Sequence, residues 1–230
     1  MKSMNKKEMI DILKILSADR ERTNILKKHE QKALAKLVRV VPSWMTSNML
    51  TGIGFFGNVA VAVAFVLGYY LHPYFLLLGI LGFAVNWLGD SLDGRLAYYR
   101  NIPRKWFGFS LDVIVDWVGI VIIGLGFTIY LESAWKILGF IFVVLYGWEM
   151  IIALLRYKVI DKYLIDSNLL GPTELRLIIS GMIIFEVIFP GSIVYLTLIA
   201  GIMLLIDCYR ATVKLLEMAD VRDISEKRIA

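Results

Sequence analysis

Six apolar segments dominate this chain, and each is close to the length that crosses a bilayer. A membrane helix needs about 20 predominantly apolar residues to cross the hydrocarbon core. Hydrophobic residues make up 58% of the 230 residues, above the roughly 45–50% that is usual in soluble domains. The sequence therefore predicts an all-α integral membrane protein with six transmembrane helices. We place them at about residues 48–70, 74–94, 107–131, 134–156, 172–189 and 191–209.

The residues before the first span are basic and amphipathic. Residues 1–40 hold eleven Lys or Arg against five Asp or Glu, and basic residues near an anionic membrane surface gain ~1 kcal/mol each. Their apolar residues have helical spacing, which predicts an N-terminal amphipathic interfacial helix; a partly disordered tail before residue 20 is the alternative. Membrane lipids, and not nucleic acid, are the expected partners. The expected division is a basic segment at 1–45, a membrane domain at 46–212 and a charged tail at 213–230.

The distribution of Lys and Arg predicts the orientation in the membrane. Basic residues concentrate in the N-terminal arm, in the loops after the second and fourth segments, and in the C-terminal tail. Cytoplasmic loops carry such an excess. Both termini and the loop after the second segment are therefore expected to face the cytoplasm.

Four aspartates interrupt the apolar sequence around this loop. Asp90 and Asp93 are three residues apart, and Asp112 and Asp116 are four apart, so each pair lies on one side of a helix. A carboxylate at membrane depth costs roughly 2.5–3.5 kcal/mol, and carboxylate oxygens are the ligands that hard divalent cations prefer. We expect the second and third helices to be antiparallel neighbours whose four carboxylates converge on a metal site near the cytoplasmic surface.

This pattern resembles the signature of the CDP-alcohol phosphatidyltransferases, D-x2-D-G-x2-A-R-x8-G-x3-D-x3-D. Residues 90–116 match both aspartate pairs together with Gly94, Ala97 and Gly108. Tyr98 stands where the family usually has arginine, and nine residues instead of eight precede the second glycine. Seven matching positions at nearly fixed spacing are much more specific than a lone glycine motif.

The resemblance implies a membrane enzyme of phospholipid biosynthesis that uses a CDP-linked donor and releases CMP. It implies two Mg²⁺ or Mn²⁺ ions held by Asp90, Asp93, Asp112 and Asp116. It also implies that Asp116 is the catalytic base for the acceptor hydroxyl, and that the enzyme is a homodimer.

Two polar residues at the start of the first span are candidates for binding the cytidine. Asn48 and Thr51 lie in a stretch that resembles the family's Pro-Asn-x-x-Thr. Capping of the helix by Thr46 or Ser47 also explains polar residues here, and the two explanations are compatible.

The donor diphosphate is expected to lie against the motif. Gly94, Ala97 and Gly108 would leave room for it, although close packing of helices also explains glycines in membranes. Arg95 or Arg100 would supply the charge of the missing family arginine; positive-inside topology is the alternative explanation for Arg100.

Two arginines are candidates for binding the acceptor. Arg156 ends the fourth segment, and Arg176 starts the fifth. Together they would suit an anionic acceptor such as inositol phosphate or glycerol 3-phosphate, although snorkelling to the headgroups also explains them. CDP-diacylglycerol is the expected donor, because Val113 stands where members that use CDP-choline or CDP-ethanolamine commonly have histidine. That branch, acting on a lipid alcohol, is the first alternative, and a cation transporter that uses the acidic cluster is the second.

Overall fold

The computed structural model describes residues 27–160 and 171–229, and these residues are almost entirely helical. They form seven α-helices, and a short 3₁₀ turn precedes two of them. The helices are α1 (Lys27–Val40), α2 (Ser47–Tyr70), α3 (Leu77–Tyr99), α4 (Lys105–Tyr130), α5 (Ile137–Ile160), α6 (Pro172–Ile188) and α7 (Ser192–Ile229). The 3₁₀ turns are Pro73–Leu76 and Ser133–Lys136.

Five of the helices are long and apolar enough to cross a membrane: α2, α3, α4, α5 and α7. This confirms the prediction of an all-α integral membrane protein. The predicted span at 172–189 forms a helix, but α6 has only 17 residues, so the described part of the chain gives five spans of full length and not six.

Several helices extend beyond the predicted spans. The α3 helix ends at Tyr99 and α5 at Ile160, so parts of both predicted polar loops are helical. The α7 helix has 38 residues and continues through the expected boundary at 212. Hydropathy predicts where a helix leaves the hydrocarbon and not where its backbone hydrogen bonds end, because charged residues continue a helix readily outside the membrane.

Glycines bring α2 and α3 into backbone contact. A Cβ atom on Gly57 would lie 2.5 Å from the backbone nitrogen of Asn86, and one on Gly82 would lie 2.8 Å from the carbonyl oxygen of Gly57. Small residues allow membrane helices to approach in this way. The close approach fixes the height of α3, and therefore of Asp90 and Asp93, against α2.

The long helices pack as a closed ring. The α2 helix packs against α3 and α4, α4 packs against α5, α5 against α7, α7 against α6, and α6 against α3. The prediction that α3 and α4 pack directly on each other is wrong, because both pack mainly against α2. The residues that face the interior of the ring can still meet across it.

The α1 helix lies against the ends of α2 and α3. Its buried residues Leu34, Ala35 and Val38 form one hydrophobic cluster with Leu50, Leu92 and Leu96. One face of α1 is thus apolar and buried, while Lys32 and Lys36 are exposed. The earlier part of the predicted interfacial segment, residues 1–26, lies outside the described residues.

A buried carboxylate joins three helices at the opposite end of the bundle from the aspartate motif. Glu186 of α6 is 3% exposed and accepts hydrogen bonds from Tyr130 Oη at 2.7 Å, Gly191 N at 3.0 Å, Ser192 Oγ at 3.2 Å and Ile193 N at 2.8 Å. The carboxylate therefore caps the first turn of α7 and ties it to α4 and α6.

Candidate active site

Three of the four motif aspartates meet inside the ring. Asp90 of α3 and Asp112 and Asp116 of α4 each place one carboxylate oxygen within 4.8 Å of the other two. All three are half-buried. Three carboxylates at this separation repel one another unless cations lie between them, and their oxygens are the donor type that Mg²⁺ and Mn²⁺ take. We call these three residues the carboxylate cluster.

Asp93 lies beside the cluster and is held by hydrogen bonds. Its side chain is buried, and it accepts from Thr51 Oγ1 at 2.7 Å and from the backbone nitrogen of Gly94 at 2.5 Å. Asp93 and the carboxylate cluster line the same recess. The structure thus brings all four predicted aspartates to one cavity and adds Thr51 to its wall.

The recess has further lining residues that the sequence analysis did not identify. They are Gly54, Phe55, Asn86 and Val115. Asn86 donates a hydrogen bond from Nδ2 to the carbonyl oxygen of Gly54 at 3.1 Å. Its position was readable in the sequence, because a polar residue in an apolar span one turn before Asp90 lies on the same helix face.

Arg176 reaches the carboxylate cluster from α6. Its Nη2 atom lies 2.6 Å from Oδ2 of Asp90, and both side chains are largely buried, with 16% and 21% of their surface exposed. A guanidinium here offsets part of the repulsion among the carboxylates. Arg156, the other predicted acceptor residue, is 8% exposed near the end of α5.

Arg95 and Arg100 bind backbone carbonyl groups outside the recess lining. Arg95 is buried and donates to the carbonyl of Ser91 in its own helix. Arg100 donates to the carbonyls of Met45 at 2.5 Å and Pro42 at 2.8 Å. Arg100 therefore fastens the connection between α1 and α2.

Arg104 contacts the residue that the sequence proposed for cytidine. Its Nη2 atom donates to Oδ1 of Asn48 at 2.5 Å, and both residues are exposed. Gly108, one turn further along α4, has open space where a Cβ would lie. Helix packing therefore does not explain Gly108. Gly94 and Ala97 are half-buried on α3.

Comparison with known proteins agrees with this geometry. Residues 44–209 match the family model described as CDP-alcohol phosphatidyltransferase. The chain belongs to the CDP-alcohol phosphatidyltransferase family. The match spans all four aspartates of the recess and both acceptor candidates, and it leaves out α1 and the last 20 residues of α7.

The fold is also that of a solved phosphatidyltransferase. The crystal structure of Mycobacterium tuberculosis phosphatidylinositol phosphate synthase with CDP-DAG bound superposes with a TM-score of 0.58. The two chains are 19% identical over 82% of this phosphatidyltransferase and 94% of the other protein. At this identity the likeness establishes the fold. None of the curated protein sequences matches.

Family membership confirms several of the predictions. The protein is an integral membrane enzyme of phospholipid biosynthesis and a transferase of the CDP-alcohol class.

Proposed function

We propose that this enzyme transfers a phosphatidyl group from CDP-diacylglycerol to a hydroxyl of a small phosphorylated alcohol, inositol phosphate or glycerol 3-phosphate, and releases CMP. The observation that carries the proposal is the meeting of Asp90, Asp112 and Asp116 inside the ring, with Arg176 bound to the first of them. The solved relative with CDP-DAG bound supports the choice of donor.

The carboxylate cluster and Asp93 are the proposed ligands of two Mg²⁺ or Mn²⁺ ions. The three oxygens of the cluster suit one cation, and Asp93, on the same recess wall, suits a second. When bound, such ions neutralise the diphosphate and orient it for in-line displacement.

Asp116 is the proposed general base. It lies two turns into α4 from Gly108 and lines the recess together with Asp90 and Asp112. The acceptor oxygen attacks the phosphorus that bears the lipid, the bond from this phosphorus to CMP breaks, and the hydroxyl proton passes to the Asp116 carboxylate. Carboxylates this close titrate together, so the proton belongs to the cluster as a whole.

The proposed donor site lies on the cytoplasmic side of the recess. Asn48 and Thr51 are proposed to contact the cytidine. Gly94, Ala97 and Gly108 are proposed to form the wall nearest the diphosphate. The open space at Gly108 supports this placement, because a ligand can approach the backbone there.

Arg104 is our proposal for the arginine that the motif lacks at Tyr98. Arg95 and Arg100 both donate to backbone carbonyls, whereas Arg104 is exposed beside Asn48 and Gly108. A guanidinium at this point can pair with a diphosphate oxygen in exchange for its exposed hydrogen bond to Asn48.

The acceptor is proposed to bind between α5 and α6. Arg176 already lies at the carboxylate cluster, and Arg156 is buried on α5. A phosphorylated alcohol held by these two guanidinium groups would have its free hydroxyl near Asp116. An acceptor without an anionic group would lose both pairings.

We also propose the membrane arrangement that the charge distribution predicts. The 17 residues of α6 extend about 25 Å at 1.5 Å per residue, which is near the hydrocarbon thickness of about 30 Å. With α6 as a sixth span, both termini and the recess face the cytoplasm. A homodimer is the proposed assembly, from the resemblance to the family.

Release of CMP by the purified protein tests the proposed function. The protein is assayed in detergent with Mg²⁺ and CDP-diacylglycerol, and with inositol phosphate, glycerol 3-phosphate, serine, inositol or no acceptor. We expect release with one phosphorylated acceptor and its loss on chelation. Activity only with CDP-choline or CDP-ethanolamine and a lipid alcohol would replace the proposed donor, and inactivity with every pair would contradict the proposal.

A further inference from the structure

Two helical segments of this chain lie outside the part that matches the family. The family model covers residues 44–209. The α1 helix precedes this region, and the end of α7, residues 210–229, follows it. Each of the two segments makes hydrogen bonds to one end of a helix that carries a proposed acceptor arginine.

The first segment contacts the start of α6. Glu30 of α1 is 5% exposed, and Oγ1 of Thr173 donates a hydrogen bond to its Oε2 at 3.3 Å. Thr173 lies in the first turn of α6, one turn before Arg176. A carboxylate near a helix N-terminus is favourable because the backbone N–H groups there carry partial positive charge.

The first turn of α6 is also fixed from within. Oε2 of Glu174 accepts a hydrogen bond from the backbone nitrogen of Gly171 at 3.0 Å. Glu30 holds the turn from α1, and Glu174 holds it from within α6. The turn therefore has a defined position relative to α1. That position sets where the Arg176 side chain leaves the helix. The Nη2 atom of Arg176 lies 2.6 Å from Oδ2 of Asp90.

The second segment contacts the end of α5. Nη1 of Arg222 donates to the carbonyl oxygens of Lys158 at 2.9 Å and Val159 at 2.7 Å. The last carbonyls of a helix have no partner within the helix, and a cation there is favourable. Nε1 of Trp148 also donates to Oγ1 of Thr212 at 3.1 Å, so the two helices are joined at two heights.

Arg156 lies at the capped end of α5. It precedes Lys158 by two residues, and its side chain is 8% exposed. Fraying of the last turn would move the Arg156 backbone, and with it this buried side chain. Arg222 therefore affects the position of Arg156 through the backbone of α5.

We propose that the two segments outside the family region position the acceptor arginines, with Glu30 and Thr173 acting on Arg176 and Arg222 acting on Arg156. The proposal rests on the acceptor role assigned to these arginines above. Glu30 and Arg222 are positioning residues and not catalytic ones, because the contacts described for them are to helix ends and not to the carboxylate cluster.

Positioning of the acceptor site has a specific kinetic signature. Loss of either contact should raise the KM for the phosphorylated acceptor about two- to tenfold, the range that corresponds to one net hydrogen bond. The KM for CDP-diacylglycerol should stay unchanged, since the proposed donor contacts lie on α2, α3 and α4. A purely structural role would instead lower the amount of folded enzyme and leave both KM values unchanged.

Matched variants of the full-length enzyme test each contact. Arg222→Met removes the cap on α5, Arg222→Lys keeps a cation there, and Glu226→Gln removes only the charge of the side chain that accepts from Arg222 Nε at 2.8 Å. Thr173→Val removes the hydroxyl that donates to Glu30, and Thr173→Ser keeps it. The Arg222 side chain is 40% exposed, and the changes at Thr173 are nearly isosteric. These variants should therefore preserve the folded core.

We expect a raised acceptor KM in Arg222→Met and Thr173→Val, partial recovery in Arg222→Lys, and wild-type values in Thr173→Ser and Glu226→Gln. Unchanged acceptor KM in both disruptive variants, in an enzyme whose wild-type form is active, would overturn the positioning proposal and leave the proposed function standing. An equal rise in donor KM would overturn it as well. An inactive wild type with every acceptor would instead contradict the proposed function itself.

Discussion

Two groups of buried acids occupy opposite ends of this helix bundle, and their surroundings differ in kind. Glu186 is 3% exposed and accepts four hydrogen bonds from α4, from α7 and from the turn before α7. Asp90, Asp112 and Asp116 are half-buried, and each has two other carboxylates as near neighbours.

The difference separates an acid that stabilises the fold from acids that we propose bind a metal ion. A carboxylate with a full set of donors has exchanged water for protein partners and lowers the free energy of the folded state. Carboxylates that face one another repel, and the fold holds them together at a cost. Such a cost is typical of functional sites, since protein stability is lost there in exchange for binding.

The largest effect is expected from Asp112→Asn. Transfer should fall by about a thousandfold or more, since a lost metal ligand removes several kcal/mol of transition-state stabilisation. Thermal stability without metal should stay equal or rise, because one of three repelling charges is gone, and the Mg²⁺-dependent increase in Tm should disappear. Asp207→Asn on α7 is the control for an aspartate outside the cluster. Wild-type activity in Asp112→Asn would show that the cluster is not the metal site.

Glu186→Leu should have the opposite profile. Its removal leaves the Gly191 and Ile193 N–H groups and the Tyr130 hydroxyl without their acceptor, at a cost of about 2–4 kcal/mol of stability. Thermal inactivation measures this loss. Activity per folded molecule, and the Mg²⁺-dependent rise in Tm, should both remain. Loss of transfer in enzyme that is still folded would mean that Glu186 is not merely structural.

The sequence predicted the aspartate end of the molecule better than the Glu186 end. The aspartates were recognisable because a charge in an apolar span is rare and their spacing follows the helix repeat. The recess at Asp90, Asp112 and Asp116 and the presence of Arg176 beside it agree with that prediction. No second acidic residue lies at helical spacing from Glu186 in α6 that would draw attention to it. Its four donors come from α4, the turn and α7, so no local pattern reveals them.

Contacts between distant segments are the part of the structure that the sequence does not show. Arg95 and Arg100 stay candidates for the donor diphosphate, and the structure adds that both donate to carbonyls, one in the same helix and the others 55 or more residues away. For Arg100 the deciding interaction is tertiary, and one sequence does not contain it in readable form. The α7 helix continues past the expected boundary at 212 because charged residues extend a helix readily outside the membrane.

Arg100 and Arg104 differ in a similar way, since Arg100 donates to backbone carbonyls and Arg104 donates to an exposed side chain. Arg104→Ala should raise the KM for CDP-diacylglycerol by about tenfold, the value of one charged hydrogen bond, with little change in stability. Arg100→Ala should lower the Tm, because the carbonyls of Met45 and Pro42 lose their donor, and leave the donor KM unchanged. Kinetics of the two purified variants at matched folded concentration decide this. The reverse assignment would identify Arg100 as the donor residue.

The smallest effect is expected from Tyr130→Phe, and it gives the sharpest view of how Glu186 works. The change removes one donor to Glu186 Oε1 at 2.7 Å and leaves the backbone donors in place, so the loss should be about 1 kcal/mol.

The same change in the Glu186→Leu background should cost nothing or be slightly stabilising, because the Tyr130 hydroxyl is there an orphaned polar group whose removal relieves a burial cost. The free energies of unfolding of the two single variants and the double variant complete a double-mutant cycle. The cycle gives the interaction energy between Tyr130 and Glu186. Equal losses in the two backgrounds would mean that the Tyr130 hydroxyl stabilises the fold through a partner other than Glu186, and that Glu186 depends on its backbone donors.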